Sequence, residues 1–183
     1  MGYKAIAIPV TYNTPGPPKF CIVRDRRFKD WTYVTGGCRK REIDNPIRCA
    51  LRELCEESRS VIKLFEGKYA SFSINVPMDN EIHLYNVFVF LVDYTPADQK
   101  QIIMNFDDHK RRTDDRKRSG MSVRLVQDEN DSMQWVTLDE CTSMRLWSVA
   151  RTVTNSDLLK RVANRTFNEW LLFSKNVVYG NKA

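Results

Sequence analysis

Runs of apolar and β-branched residues, broken by turn-forming residues, divide the chain into short strands and two segments with helical spacing. The predicted strands cover residues 4–12, 20–24, 31–34, 60–65, 69–76, 81–94 and 133–136. Elsewhere the apolar residues recur at helical spacing, which predicts one helix that starts near Asn45 and a C-terminal helix over residues 155–174. No internal repeat is visible, so the pattern predicts a domain that mixes strands with helices.

The first predicted helix carries three glutamates on one face. In the stretch Arg52-Glu53-Leu54-Cys55-Glu56-Glu57, the acidic side chains stand at positions i, i+3 and i+4. Carboxylates so close together repel one another unless a cation lies between them. Oxygen ligands of this kind suit Mg²⁺ or Mn²⁺ better than zinc. The alternative is that these glutamates simply face water, as most glutamate pairs on helices do.

The residues that precede this helix form a strand, a glycine pair and a basic connection. The strand-like Trp31-Thr32-Tyr33-Val34 runs into Gly36-Gly37, a basic connection follows, and Asn45-Pro46 provides an N-cap and a first helical residue. Over residues 36–59 this order resembles the Nudix box, a family signature written Gly-x5-Glu-x7-Arg-Glu-U-x-Glu-Glu-x-Gly-U, with U aliphatic. The resemblance implies an α/β/α sandwich, in which a mixed sheet lies between the box helix and the C-terminal helix.

The resemblance also implies roles for individual residues. Glu53, Glu56 and Glu57, together with Gly37, would hold Mg²⁺ or Mn²⁺, and Arg52 would orient one carboxylate by a charge-assisted hydrogen bond. The attacking water also needs a general base within hydrogen-bond reach. Glu129, which lies in the later segment Asp128-Glu129-Asn130-Asp131, is the favoured base. Glu56 or Glu57 is the alternative.

Two positions depart from the box. The first glutamate of the signature is Asp44 when the residues are counted back from Arg52, and Glu42 when they are counted forward from Gly36. The terminal glycine is replaced by Arg59. A non-glycine residue in the left-handed conformation expected there costs on the order of 1 kcal/mol. Neither departure removes an expected metal ligand.

The charge of the chain favours a polyanionic substrate. The formal net charge is +6, and basic residues cluster in two places. Arg39, Lys40 and Arg41 lie in the connection to the metal helix, so we expect them close to substrate phosphates. The second cluster belongs to residues 96–121, which we interpret as a basic, insertion-like loop. That loop is either a phosphate-contacting arm or simply a solvated segment.

The remaining composition narrows the class of protein. At 183 residues the chain is expected to form one domain over residues 1–183. Its five scattered cysteines include no Cys-x-x-Cys pair, which makes a structural zinc site improbable and favours a reducing compartment. No apolar run reaches membrane-spanning length and no signal-peptide pattern is present. We therefore expect a soluble, cytoplasmic protein with no membrane partner.

The predicted activity is metal-dependent hydrolysis of a phosphoanhydride in a nucleotide-containing substrate. The box and the basic loops resemble those of Nudix mRNA-decapping enzymes of large DNA viruses, which implies capped RNA as substrate. One alternative is a hydrolase of dinucleoside polyphosphates, nucleotide sugars or diphosphoinositol polyphosphates. A second is a non-catalytic module that binds nucleotide or RNA. Candidate aromatic side chains for stacking a base are Phe20, Trp31, Tyr33, Phe72, Tyr85 and Phe88.

Overall fold

Eight strands form one sheet in the part of the chain that the computed structural model describes, which is residues 2–64, 66–78, 80–123, 128–164 and 175–178. The strands are β1 (Gly2–Thr11), β2 (Lys19–Asp25), β3 (Trp31–Thr32), β4 (Val34–Gly37), β5 (Glu66–Met78), β6 (Glu81–Leu91), β7 (Asn130–Val136) and β8 (Lys175–Val178). The helices are α1 (Pro46–Glu57), α2 (Pro96–Arg118), α3 (Leu138–Thr142), α4 (Ser148–Thr154) and α5 (Asp157–Asn164). A short 3-10 helix, Lys40–Glu42, precedes α1.

The sheet is organised around β1. One edge of β1 pairs in parallel with β6, in the register Ile6↔Val87. The other edge is shared, because residues 4–7 pair antiparallel with β4 whereas Val10 and Thr11 pair antiparallel with β2. The full order is β3-β2-β1-β6-β5-β8, with β4 on β1 and β7 on β2.

The two faces of the sheet are covered by different helices. Alternate residues of β1 point to opposite faces: Ala5 and Ala7 pack with residues of α1 and α2, and Ile6, Ile8 and Val10 pack with residues of α4 and α5. The buried α1 and α2 residues on the first face are Cys49, Ala50, Leu54, Ile102 and Phe106. The structure is therefore the α/β/α sandwich with a mixed sheet that the sequence predicts.

The segment predicted as a basic loop, residues 96–121, is mostly the helix α2. Its start is a capping box, in which the Asp98 N–H donates to Thr95 Oγ1 and the Thr95 N–H donates to the Asp98 carboxylate. Its charges form pairs one turn apart, such as Lys110 with Asp114. The loop prediction was wrong because mixed charges were interpreted as a solvated loop, although alternating signs are also typical of an exposed helix face.

Two other predicted elements differ from the structure. Residues 60–64 form a turn and irregular backbone instead of a strand, and residue 65 lies outside the described residues. Helix α5 covers residues 157–164 of the predicted C-terminal helix, while residues 165–174 lie outside the described part of the chain. Among the described residues, no helix combines the length and the apolar character needed to cross a membrane.

Candidate active site

Helix α1 is held against β4 by a close approach of its carboxylate face to glycine. A Cβ added at Gly36 would lie 1.8 Å from Cδ of Glu53, so only glycine lets the Glu53 side chain rest on the strand. The helix begins at Pro46, as predicted, although Asn45 makes no side-chain capping bond. Gly36 therefore sets the distance between the glutamates of α1 and the end of β4.

Arg52 lies at the centre of the charged cluster. Its Nε and Nη2 donate to the two carboxylate oxygens of Glu42, both at 2.9 Å. Its Nη1 donates to Glu53 Oε1 at 2.7 Å and to Glu56 Oε2 at 3.0 Å. Nη2 also donates to the carbonyl oxygen of Gly37 at 3.0 Å. One guanidinium thus orients three carboxylates and one carbonyl, where the sequence predicted a single carboxylate.

Glu42 takes the place of the first box glutamate, and Asp44 does not. The Glu42 side chain is buried and paired with Arg52, and these hydrogen bonds lower the pKa of Glu42 from 4.5 to about 2. Asp44 is exposed. The connection from Glu42 to Arg52 has nine intervening residues where the signature has seven, and this added length comes after the 3-10 helix Lys40–Glu42.

Glu57 occupies the buried end of the carboxylate face. It is 6% exposed, and its Oε2 accepts a hydrogen bond from Asn130 Nδ2 at 3.0 Å. Burial raises the pKa of Glu57 well above its ordinary value, and the bond from Asn130 only partly opposes this. Burial also raises the pKa of Glu53, against the neighbouring Arg52. A divalent cation bound beside these two carboxylates would favour their charged form.

The donor set suits a hard divalent cation, although the side chains are not yet gathered around one point. Within the described part of the chain, no three acidic, histidine or cysteine side chains are grouped closely enough to hold a metal ion as they stand. Arg52 accounts for this, since its Nη1 lies between the carboxylates of Glu53 and Glu56. Each of these carboxylates keeps a second oxygen that Arg52 does not contact, and oxygen-only ligands are those that Mg²⁺ and Mn²⁺ prefer.

Arg59, which stands where the box has glycine, ties the end of α1 to α2 and β7. Its backbone has φ of 56°, the left-handed conformation expected at that position. The side chain is 4% exposed. Its Nη2 donates to Asp128 Oδ1 at 3.1 Å and to the carbonyl of Asn130 at 2.8 Å, and the guanidinium lies 5.2 Å from the centre of the Phe106 ring. Arg59 thereby fixes the residues on both sides of Glu129.

Glu129 and Glu57 open into the same pocket. The pocket has a volume of about 430 Å³ and lies between β4, the start of β7 and the hairpin of residues 25–30. The carboxylate of Glu129 is exposed, and its backbone carbonyl accepts from the N–H of Arg26 at 2.8 Å. Burial, and then the charges of Asp25 and Glu56, raise the pKa of Glu129. The structure thus brings the predicted base and one predicted metal ligand into one cavity.

Several residues of this pocket were missed by sequence reasoning. Among the aromatic candidates named from the sequence, Tyr85 lines the pocket, whereas Phe72 and Phe88 line a separate groove beside the start of α1. The missed lining residues are Lys4, Asp25, Phe28, Asp30 and Trp147. Their one sequence signal is weak: Phe28 is an isolated aromatic residue inside a charged turn.

The predicted phosphate-binding residues lie beside this pocket and do not line it. Arg39 approaches Glu56, with 3.4 Å between its Nη2 and Glu56 Oε1, and Lys40 and Arg41 are exposed. On α2, most of the basic side chains are paired with acidic ones. These pairs are Lys110 with Asp114, Arg111 and Arg112 with Asp108, Lys117 with Asp128, and Arg118 with Asp115.

Comparison with known proteins supports the assignment of the fold. Neither a family model nor a curated protein matches the sequence. Solved structures do match it. A C. elegans Ap4A hydrolase is 12% identical with a TM-score of 0.58, over 94% of this chain and 98% of that chain. The NUDIX domain of Shewanella oneidensis NrtR, solved with ADP ribose, is 12% identical with a TM-score of 0.57, over 88% of each chain.

A third solved structure supports the same fold. The Nudix hydrolase RenU from M. smegmatis is 8% identical with a TM-score of 0.58, over 91% of this chain and 90% of that chain. These matches span nearly the whole chain. The chain has the Nudix fold.

Proposed function

We propose that this protein is a divalent-metal-dependent hydrolase that cleaves a phosphoanhydride bond next to a nucleoside. The observation that carries this proposal is the position of Glu129 in one pocket with Glu57, at the end of a helix whose other glutamates are oriented by Arg52. Carboxylates beside a cavity of about 430 Å³ suit a metal-assisted attack of water on a bound substrate. A non-catalytic binding module has no need of such an array.

Glu53, Glu56 and Glu57, with the carbonyl of Gly37, are the residues that would hold Mg²⁺ or Mn²⁺. The bound cation supplies Lewis-acid polarisation of phosphoryl oxygens and lowers the pKa of the attacking water. Arg52 donates to one oxygen of Glu53 and one of Glu56, and Asn130 donates to Glu57. These contacts limit the orientations open to the carboxylates, which would still turn towards a common point to hold a cation.

Glu129 is the proposed general base. The pKa of Glu129 is raised above that of an ordinary glutamate and so lies nearer to neutral pH. A base whose pKa lies nearer the working pH accepts a proton more effectively. Arg59 holds the flanking Asp128 side chain and Asn130 carbonyl, so the backbone that carries Glu129 is fixed while its side chain is free to reach a water in the pocket. Glu56 and Glu57 are the competing choices.

A small nucleotide-containing substrate fits better than capped RNA. Most basic residues of α2 are paired with acidic partners, which argues against the phosphate-contacting arm and favours its alternative, a segment whose charges face solvent. Two of the similar structures also point to small ligands, since one is an Ap4A hydrolase and the other was solved with ADP ribose. mRNA decapping stays the second candidate because Lys40 and Arg41 are exposed in the connection that leads to α1.

A substrate panel tests the proposal. Purified protein is incubated with ADP-ribose, diadenosine tetraphosphate, ADP-glucose and capped RNA in Mg²⁺ or Mn²⁺, and the products are separated by chromatography. We expect release of a nucleotide from at least one small substrate and complete loss of that activity in excess chelator. Hydrolysis that persists in chelator contradicts the mechanism. If capped RNA is the one substrate cleaved, decapping becomes the function.

A further inference from the structure

We infer that the 25–30 hairpin and Trp147 form a nucleobase pocket that favours amino-bearing purines over uracil. This inference rests on the proposed function and names the part of the substrate that lies away from the metal-binding carboxylates. It depends on three features of the pocket: an exposed aromatic ring on a rigid turn, the charge of the lining, and the position of its one lysine.

Phe28 is the first feature. It is 61% exposed, more than any other large hydrophobic side chain in the described residues, and it lines the pocket. The turn that carries it is firmly held, because Asp25 Oδ1 accepts the backbone N–H groups of Arg27 at 2.7 Å and Phe28 at 2.6 Å. The Arg27 guanidinium lies 5.0 Å from the centre of the Phe28 ring. An exposed aromatic ring on an ordered turn is suited to stacking a flat ligand.

Trp147 supplies a second aromatic surface to the same cavity. Its backbone N–H donates to the carbonyl of Trp31 at 2.9 Å, and its ring packs edge-to-face on Tyr85 with 6.4 Å between ring centres. These contacts fix the indole next to α4 while it lines the pocket. Phe28 and Trp147 therefore present two π-surfaces to the pocket, and the backbone that carries each of them is already held by hydrogen bonds. Purines gain more from such stacking than pyrimidines, because their π-surface is larger.

The charge of the lining excludes a second anionic group. Asp25 and Asp30 lie on the hairpin side of the pocket, with Glu129 nearby. The Asp30 carboxylate is already paired with Arg145, so it is Asp25 and Glu129 that disfavour a polyphosphorylated group, such as the ring of a diphosphoinositol polyphosphate. A neutral base with N–H donors is favoured instead. Adenine and guanine offer exocyclic amino groups to carboxylate oxygens, whereas uracil offers one N–H between two carbonyl oxygens.

The position of Lys4 indicates how a ligand would be oriented in the pocket. Lys4 is the one lysine or arginine among the lining residues, and it pairs with Gly37 in the sheet. A Cβ at Gly37 would lie 3.9 Å from its Nζ. The ammonium group is thus placed at the end of the pocket near the box, where it can contact a phosphate oxygen. In this orientation a nucleoside diphosphate places its base against Phe28 and its phosphates next to Lys4 and the carboxylates of α1.

Two substrates that differ only in the base test this inference. We expect kcat/KM for ADP-glucose to exceed that for UDP-glucose at least tenfold in the wild-type protein. Phe28→Ala should lower kcat/KM for ADP-glucose about tenfold and bring the ratio of the two substrates towards one, because stacking on an aromatic ring is lost. Phe28→Trp should retain the preference. Ile82→Ala, which truncates a side chain that is 55% exposed outside the pocket, is the matched control and should change neither rate.

Binding of ADP and UDP, measured by calorimetry in Mg²⁺, tests the nucleobase pocket separately from the proposed hydrolase activity. Tighter binding of ADP that disappears in Phe28→Ala supports the pocket even if no substrate is hydrolysed, in which case the proposed activity is wrong. Equal kcat/KM for the two sugars, or a preference that Phe28→Ala leaves unchanged, overturns the pocket while the hydrolase activity stands. Failure of the wild-type protein both to bind ADP and to hydrolyse any substrate overturns both.

Discussion

The Glu57 carboxylate is the residue whose role is most sharply testable. Glu57→Gln keeps the size of the side chain, and its amide oxygen can still accept the bond from Asn130. We expect turnover at saturating Mn²⁺ to fall at least about 10²-fold, because a neutral amide is a far weaker ligand than a carboxylate. The fold should be retained, since burial already disfavours the charge of Glu57.

Steady-state rates and thermal melting of Glu57→Gln are compared with those of Asp139→Asn. Asp139 is an exposed acid on α3, so its amide should behave as the wild type. Near-wild-type turnover of Glu57→Gln would remove this residue from the proposed metal site.

A second prediction concerns Glu42 and the pH dependence of the free energy of unfolding. The pKa of Glu42 in the folded protein is about 2 and its ordinary value is 4.5, so its ionised form stabilises the fold above pH 4.5 and the contribution is lost as the pH falls towards 2. At neutral pH this amounts to at most about 3 kcal/mol. We expect Glu42→Gln to be less stable than the wild type at pH 7, and the difference to narrow by pH 3. Denaturant unfolding at both pH values, in chelator, measures it; a gap that is constant with pH contradicts the assigned pairing with Arg52.

The junction between α1, α2 and β7 depends on Arg59. Replacing it with the glycine of the box relieves about 1 kcal/mol of backbone strain but removes the partner of the buried Asp128. Asp128 keeps ion pairs with Arg26 and Lys117, so we expect a net loss of about 2 kcal/mol in the free energy of unfolding. Hydrolysis should also fall at least about tenfold, since Glu129 and Asn130 are then less firmly placed.

The adjacent Ser60 is the matched control for Arg59, because it also has a positive φ, of 63°. Ser60→Gly relieves the same kind of strain without breaking an ion pair, and it should stabilise the protein by up to about 1 kcal/mol with unchanged hydrolysis. Chemical denaturation and kcat/KM are measured for both variants. If Arg59→Gly matches Ser60→Gly in both measurements, the Arg59 contacts do not position Glu129.

Across the whole molecule the net charge is +6, but five basic side chains of α2 are engaged in ion pairs with acidic ones. We therefore expect hydrolysis of capped RNA, if it occurs, to depend weakly on salt, because each phosphate contacted releases about 0.7 of a counterion and few basic side chains are left to contact phosphates. The double variant Lys40→Gln and Arg41→Gln should affect capped RNA and free cap analogue equally. Rates are measured against salt for both substrates. A steep salt dependence confined to RNA, reduced in the double variant, would favour decapping.

Local spacing along one helix was sufficient to place the α1 carboxylates and Arg52 on one face, and the resemblance of residues 36–59 to the Nudix box was what implied the sandwich. The sequence left Glu42 and Asp44 undecided because the length of a connection does not fix which acid reaches Arg52. It missed Phe28 and Trp147 because residues so distant in the chain meet only when the sheet forms. It also mistook α2 for a loop, since paired charges on a helix and a solvated charge run have the same composition.

The shared edge of β1 places the hairpin proposed to select the base and the helix proposed to bind the metal in different segments of the chain. Because β4 and β2 pair with different parts of that edge, the 25–30 hairpin, which joins β2 to β3, and the box helix, which follows β4, leave the sheet at different places. Changes in the hairpin can therefore alter which base is accepted without repacking α1. Grafting hairpins that differ between Arg27 and Asp30, and that keep Arg26 with its contacts to Glu129 and Asp128, is accordingly a route to redirect such an enzyme to new nucleotides while its hydrolytic residues stay in place.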